Sequence, residues 1–296
     1  MAAAGNRAAV IDSTGWRGGS DSGGGTTARG PPRNRKTGSD FMQLEICVDS
    51  VESAVAAERG GAQRVELCSD LLEGGITPSA GLIAEVRRRI GIGMFVMIRP
   101  RGGDFTYTEY EFEVMQKDIE SVRELGADGI ILGLLDEQAG VDVCRTRRLV
   151  ELARPLPVTF HRAIDMTPDP KAALGDVLET GASRVLTSGG AAKVTEGLSA
   201  VACMVKAAGD RIAVMAGGGI TPQTIVRVAE ATGATEFHAS LRSAAPSPVI
   251  YRRQGVQMGE THDREYVRFV VEEESVRALA SALHRLIEDR AAAQRP

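Results

Sequence analysis

From residue 41 onward the chain alternates short apolar runs with longer helix-like stretches. Four runs, "LEICVD", "MFVMIRP", "PVTFHRA" and "IAVMAGG", are nearly continuous in apolar residues, as strands buried on both faces require. Between them a second phrase recurs: "GAQRVELC" from Gly61, "GADGIILG" from Gly126, "GASRVLTS" from Gly181 and "GATEFHAS" from Gly233. Each copy follows a helix-like stretch, such as "SVESAVAAERG" or "KAALGDVLET". A helix that ends on glycine turns left-handed without a Cβ clash, and a short loop then feeds a buried strand. The four glycines are 65, 55 and 52 residues apart, room for two strand–helix units per interval.

Interleaving the two series predicts eight strands, each followed by a helix. The last helix, "SVRALASALHRLIEDR", comes after a longer loop. Strands alternating with helices imply a parallel sheet, and eight units in about 250 residues predict an α/β fold of the (β/α)8 TIM barrel type. The single barrel domain is expected over residues 41–296. The rival is a doubly wound open sheet. It calls for fewer strands and a glycine-rich phosphate turn after the first one, where this chain has "CVDSVES".

Residues 1–40 are rich in Gly, Ser, Arg and Pro and have almost nothing to bury, so a disordered tail is expected there. The lone tryptophan, Trp16, falls in it. A transit peptide, or a basic nuclear signal in "RNRK", is the functional alternative. Asp12, Asp21 and Asp40 count against a transit peptide, which is poor in acids. The 296 residues carry a net charge of −4, which leaves no electrostatic footprint for nucleic acid or an anionic membrane. The longest apolar runs, such as "GIILGLL", are too short to span a bilayer. Four cysteines without zinc-finger spacing read as reduced thiols, which fits the cytoplasm.

In a barrel of this kind the active face lies at the C-terminal ends of the strands. Those ends carry Glu45, Cys47, Glu66, Cys68, Arg99, Arg101, His161, Arg162, Asp165, Ser188, Glu236 and His238. Residues two apart on a strand share a face, so Glu45 goes with Cys47, Glu66 with Cys68, and Glu236 with His238. If the thiols point inward, so do the carboxylates. Arg99, Arg101 and Arg162 are their expected partners, since unpaired carboxylates in a packed barrel are costly. Glu45, Glu66, Arg99, His161, Asp165 and His238 are therefore candidate catalytic groups. The alternative is a buried ion-pair network that only fills the barrel.

Cys47 and Cys68 hold equivalent places on neighbouring strands about 4.8 Å apart. Two readings stay open. They are small apolar fillers, which spacing alone favours, or a thiolate pair sharing one soft ion, for which low-coordinate Cu(I) is the best match. The glycine-rich turns "LTSGG" and "AGGGIT" raise a second choice. Arg101 with Ser188, Gly189, Gly217, Gly218 and Gly219 can hold an anion, or the glycines serve only a tight strand-to-helix turn. Cys144, Cys203, His262 and His284 receive no role.

Taken in order, "LEICVDSVESAVAAERGGAQRVELCSDLLEGGITPS", "FVMIRPRGGDFTY", "LPVTFHRAIDM", "VLTSGG", "MAGGGIT" and "GATEFHAS" resemble the copper homeostasis protein CutC family, over residues 41–290. The resemblance implies a TIM-like barrel, a cytoplasmic homo-oligomer and a link to copper. It places proposed Cu(I) thiols at Cys47 and Cys68. It places polar mouth residues at Glu45, Glu66, Arg99, Arg101, Asp104, His161, Arg162, Asp165 and His238. It implies no reaction. A cytosolic Cu(I)-binding protein and a barrel enzyme acting on a small anionic, or phosphorylated, metabolite both remain open. A zinc or manganese site of Glu and His is a third reading.

Overall fold

A computed structural model describes residues 42–256, 258 and 264–293. The expected tail, residues 1–40, and His262 lie outside the described residues. Eight strands close a parallel barrel in sequence order: β1 Gln43–Val48, β2 Arg64–Leu67, β3 Gly93–Met97, β4 Gly129–Leu132, β5 Val158–Phe160, β6 Arg184–Thr187, β7 Ala213–Gly217 and β8 Glu236–Ala239. The ring closes where Glu45 of β1 pairs with His238 of β8. The surrounding helices are α1 Val51–Arg59, α2 Ala80–Arg89, α3 Glu109–Glu124, α4 Val143–Ala153, α5 Pro170–Thr180, α6 Leu198–Ala208, α7 Ile225–Thr232 and α8 Glu273–Ala293. The expected (β/α)8 TIM barrel is the fold observed.

The period-two alternation sorts each strand into two layers. On β1, Leu44, Ile46 and Val48 join the large core between barrel and helices, while Glu45 and Cys47 face the barrel interior. Several helix starts are set by side-chain caps. Ser50, Ser79 and Thr108 accept from the backbone N–H three residues on, and Glu111 completes a capping box with Thr108. The repeated glycines end the helices as expected. After α3, Gly126 takes φ +81 and donates to Arg123, while Ala127 donates to Val122. These two bonds satisfy carbonyls that the helix end would otherwise leave open.

One element departs from the sequence reading. The long connection after β8 contains an antiparallel hairpin, β9 Arg242–Pro246 with β10 Val267–Val271. The run "RSAAP" is small, partly exposed and ends in proline, so it carries no strand-like alternation. The hairpin is held to the body where the Val271 N–H donates to Ser53 Oγ of α1 at 3.1 Å.

Candidate metal centre

One layer of the barrel interior is built from equivalent positions of the four even-numbered strands. Three residues past each repeat glycine stand Arg64, Gly129, Arg184 and Glu236, the pattern of a layer contributed by alternate strands. Glu236 accepts from Arg64 at 2.9 Å and from Arg184 at 2.5 and 3.2 Å. Arg64 also bonds Glu45. Phe95 of β3 fills the place left by Gly129, where a Cβ would lie 2.5 Å from its ring. Both guanidiniums lie against that ring, 4.8 and 5.3 Å from its centre. Two arginines and two carboxylates thus neutralise each other beneath the mouth.

Above this layer, His238 bridges two acids. Its Nδ1 is 2.8 Å from Glu45 Oε1 and its Nε2 is 3.4 Å from Glu66 Oε2. Burial alone would raise the Glu45 carboxyl, but Arg64 and His238 outweigh it and hold it at about 2. Burial opposes charge on His238, yet Glu66, Cys47 and Glu45 together push the imidazole well above its usual value. Glu66 is raised by burial, against the pull of His238. Its Oε1 is buried with no hydrogen-bond partner among the described residues.

Cys47 sits level with Glu66 in the β1–β2 register. Its Sγ lies 4.0 Å from Cys68 Sγ, and both thiols are free. They share a buried cluster with Phe95, Met97 and Ile131, with Leu71 packed against it. The hydrogen bond with Cys68 and burial raise the Cys47 thiol well above the ordinary range. At Cys68 the bond with Cys47 pulls downward, but burial and the carboxylates of Glu66 and Glu45 outweigh it and leave the thiol at about 11. Both are therefore protonated thiols at neutral pH, and a metal must displace their protons.

The donor set fits a soft ion. Two metal–sulfur bonds of about 2.3 Å span at most about 4.6 Å, so thiols at this separation can bridge one cation without moving a strand. Cys47, Glu66 and Cys68 together form one candidate metal group, and Glu45, Glu66 and His238 a second, each with its donor atoms within 4.8 Å of one another. In the second set Glu45 and His238 are already engaged with each other, and Glu45 with Arg64. In the first, the two thiols bond each other and Glu66 Oε1 has no partner among the described residues.

The arginines expected to pair with the barrel carboxylates do not. Arg99 donates to the backbone carbonyls of Glu73, Gly75 and Gly103 at 2.6, 2.9 and 2.7 Å. Arg101 pairs with Asp104 and Glu111. Arg162 pairs with Asp165 at 2.8 Å. All three follow the last residue of their strand, where the in–out alternation no longer holds. Arg64 and Arg184, which take their place, open β2 and β6. The signal was present in the repeat, which puts an arginine at the same step in "GAQRVELC" and "GASRVLTS".

His161 follows β5 and is buried. Its Nδ1 accepts from the Ala163 N–H at 3.1 Å, and Nε2 has no partner among the described residues. Burial and the nearby Arg99 charge lower its pKa to about 3, so the ring is neutral. Gly133 makes room for it, since a Cβ there would lie 2.4 Å from Nδ1.

Asp165 lies in the turn after β5 and fills the glycine-rich loop after β6. Its carboxylate accepts from Thr187 Oγ1 at 2.6 Å, from Ser188 N and Oγ, and from Gly190 N at 3.0 Å. Gly189 N donates to Thr187 Oγ1. The Ser188 and Gly190 N–H groups are thus already committed to an internal anion, and that of Gly189 to a hydroxyl. At the end of β7 a Cβ on Gly217 would run into Leu186 and His238, and beyond it Gly218 and Gly219 take φ +105 and +76 beside Ser188 and Lys193.

A model of the CutC family matches residues 42–243. The chain belongs to the CutC family. It is 51% identical over 243 residues to a mouse (Mus musculus) protein named copper homeostasis protein cutC homolog, covering 82% of this chain and 89% of that one. A CutC family protein of Chromobacterium violaceum is 50% identical over 240 residues, covering 81% and 97%. The crystal structure of the CutC protein from Streptococcus agalactiae superposes with a TM-score of 0.64 at 32% identity, covering 67% of this chain and 98% of that one. The family resemblance drawn from the motifs is thereby established. Among the described residues, no helix is long and apolar enough to cross a membrane.

Proposed function

We propose that this CutC chain is a copper homeostasis protein that binds one Cu(I) between Cys47 and Cys68. The observation that carries the reading is the 4.0 Å separation of two free sulfurs inside one apolar cluster. Cu(I) prefers soft, low-coordinate ligands, and a dry pocket with two thiols supplies them. Met97 adds a thioether to the same cluster, and Glu66 Oε1 leaves a buried oxygen beside it. Zinc would need more donors than the thiol pair offers. Cu(I) binding by this pair needs both thiols reduced, which a reducing compartment maintains, so the cytoplasm is its proposed place.

The test is anaerobic loading of the reduced full chain with Cu(I), measured by competition with a chromogenic chelator. The expected result is one Cu(I) per chain in the wild type and none retained by Cys47→Ser/Cys68→Ser. Equal stoichiometry in the two proteins would remove the reading.

A second reading, a barrel enzyme on a small anionic metabolite, is favoured by one observation: His161 Nε2 and Glu66 Oε1 are buried polar atoms without partners among the described residues. A metabolite screen by thermal shift, repeated on His161→Ala, tests it. A screen with no binder, or binders that His161→Ala keeps, would dismiss it.

A further inference from the structure

A recess of about 270 Å³ is lined by Asp49, Asp70, Leu71, Arg242, Arg264 and Phe269 among others. One wall is the turn after β2 and the other is the β9–β10 hairpin. Leu71 belongs to both sides. It lines the recess and packs against the cluster that holds Cys47 and Cys68. Both sulfurs are buried, so this apolar side chain is the partition between them and the recess.

The turn that carries Leu71 is held at its base. Ser69 and Ile76 exchange two backbone hydrogen bonds, and Arg99 ties the carbonyls of Glu73 and Gly75. Gly75 is thereby set against Cys68, where a Cβ would lie 3.1 Å from the sulfur. Asp70, just before Leu71, holds φ +47, a conformation that non-glycine residues occupy at a cost. The strain falls on the link between the metal thiol and the partition.

The recess is charged at both ends. Arg242 pairs with Asp49 at 2.9 Å. Arg264 lies over Phe269, 5.0 Å from the ring centre, and has no ion-pair partner among the described residues. Asp70 likewise has none among them. A free carboxylate, a free guanidinium and an apolar wall match a molecule with an ammonium, a carboxylate and a short apolar arm. The arm must end in sulfur if it brings a soft ion to a thiol pair.

We infer that this recess is the loading port of the thiol pair, that it seats a small zwitterionic thiol carrying Cu(I), and that Leu71 is the gate the carrier displaces. The inference rests on the Cu(I) reading above. The carrier's ammonium faces Asp70 and its carboxylate faces Arg264. Transfer is ligand exchange. Two carrier sulfur–copper bonds break and two form to Cys47 and Cys68. Each protein thiol gives its proton to a departing carrier thiolate, and copper stays Cu(I).

The experiment mixes the reduced full chain with Cu(I) supplied as its bis-cysteine complex, as its glutathione complex, or as its acetonitrile complex, and follows metal transfer by stopped flow. Asp70→Asn and Arg264→Gln are each expected to slow transfer from a zwitterionic carrier by about tenfold, the effect of one charge-assisted contact. Transfer from acetonitrile should stay unchanged. Slowing with cysteine alone, glutathione alone or both upholds the port and tells the carriers apart. Variants that load from both thiol carriers at the wild-type rate overturn it while leaving the Cu(I) site standing. A wild type that takes no copper from any source overturns that reading and the port with it.

Discussion

The guanidinium of Arg184 and the carboxylate of Glu236 meet through two contacts, of 2.5 and 3.2 Å, inside the barrel. The same carboxylate takes Arg64 from the other side at 2.9 Å. One acid on β8 therefore ties β2 and β6 across the interior and neutralises charge beneath the candidate metal site.

Removing that acid leaves two buried guanidiniums with too little negative charge. Breaking a buried pair costs about 3–5 kcal/mol, and the lower end applies because the two side chains keep 12% and 15% exposure. Glu236→Ala is expected to lose about 3 kcal/mol in urea unfolding. Glu236→Gln, which keeps a hydrogen-bond acceptor, should lose less. Equal midpoints for wild type and Glu236→Ala would show that the network fills space without holding the barrel.

Acid should unfold the protein in two overlapping stages. His161 titrates near 3 in the folded state and near 6.5 unfolded, so its contribution is whole above 6.5 and declines as pH falls toward 3. Glu45 titrates at about 2 folded against 4.5 unfolded, so its contribution declines between 4.5 and 2. Glu66 and His238 hold their protons more tightly when folded, and their contributions run the other way. Comparing the wild type with His161→Asn isolates the imidazole. The difference in urea midpoint between the two should shrink from pH 7 to pH 5. A constant difference would mean that the ring is not buried neutral.

The helix-ending glycines carry a conformational demand, not a packing one. A Cβ on Gly126 would meet only ordinary contacts, 3.6 Å or more from Arg87, yet φ is +81. Gly126→Val is expected to cost at least about 1–2 kcal/mol, the penalty of a left-handed residue with a branched side chain. Gly126→Asn should cost less, since asparagine tolerates that region. Thermal denaturation of the pair checks this, and a valine variant that melts like wild type would refute the turn.

The fold was legible because two local rules agree along the whole chain. Continuous apolar runs mark strands buried on both faces, and a glycine after each helix marks the return to the sheet. That Glu45 shares a face with Cys47, and Glu66 with Cys68, followed from alternation; that this face is the inner one came from the barrel. The charge partners did not follow from alternation. Arg99 and Arg101 lie past the end of β3, where alternation stops and loop geometry takes over, so their turn to backbone carbonyls and surface acids has no sequence signature. Arg64 and Arg184 occupy strand positions and were readable from the repeat. The separation of the two sulfurs depends on barrel shear, which offsets Cys47 to the level of Glu66, and no linear pattern encodes it.

Asp165 offers a test of what the glycine-rich loop is shaped to hold. Its carboxylate receives the hydroxyls of Thr187 and Ser188, the N–H groups of Ser188 and Gly190, and the Arg162 guanidinium. Asp165→Ala strips the Thr187 hydroxyl and the Ser188 N–H of their acceptor, while Arg162 and Ser188 Oγ keep Ala191 O, so it should cost a few kcal/mol, at about 1–3 for each buried donor left unpaired. It also leaves a cradle of donors the size of a carboxylate. Formate or acetate added to Asp165→Ala should therefore raise its melting temperature with a saturable dependence, while the wild type, which already holds its own carboxylate there, should respond no more than to chloride at equal ionic strength. Equal responses of the two proteins would show that the loop collapses once Asp165 is gone, and that its donors are not arranged for an anion independently of that side chain.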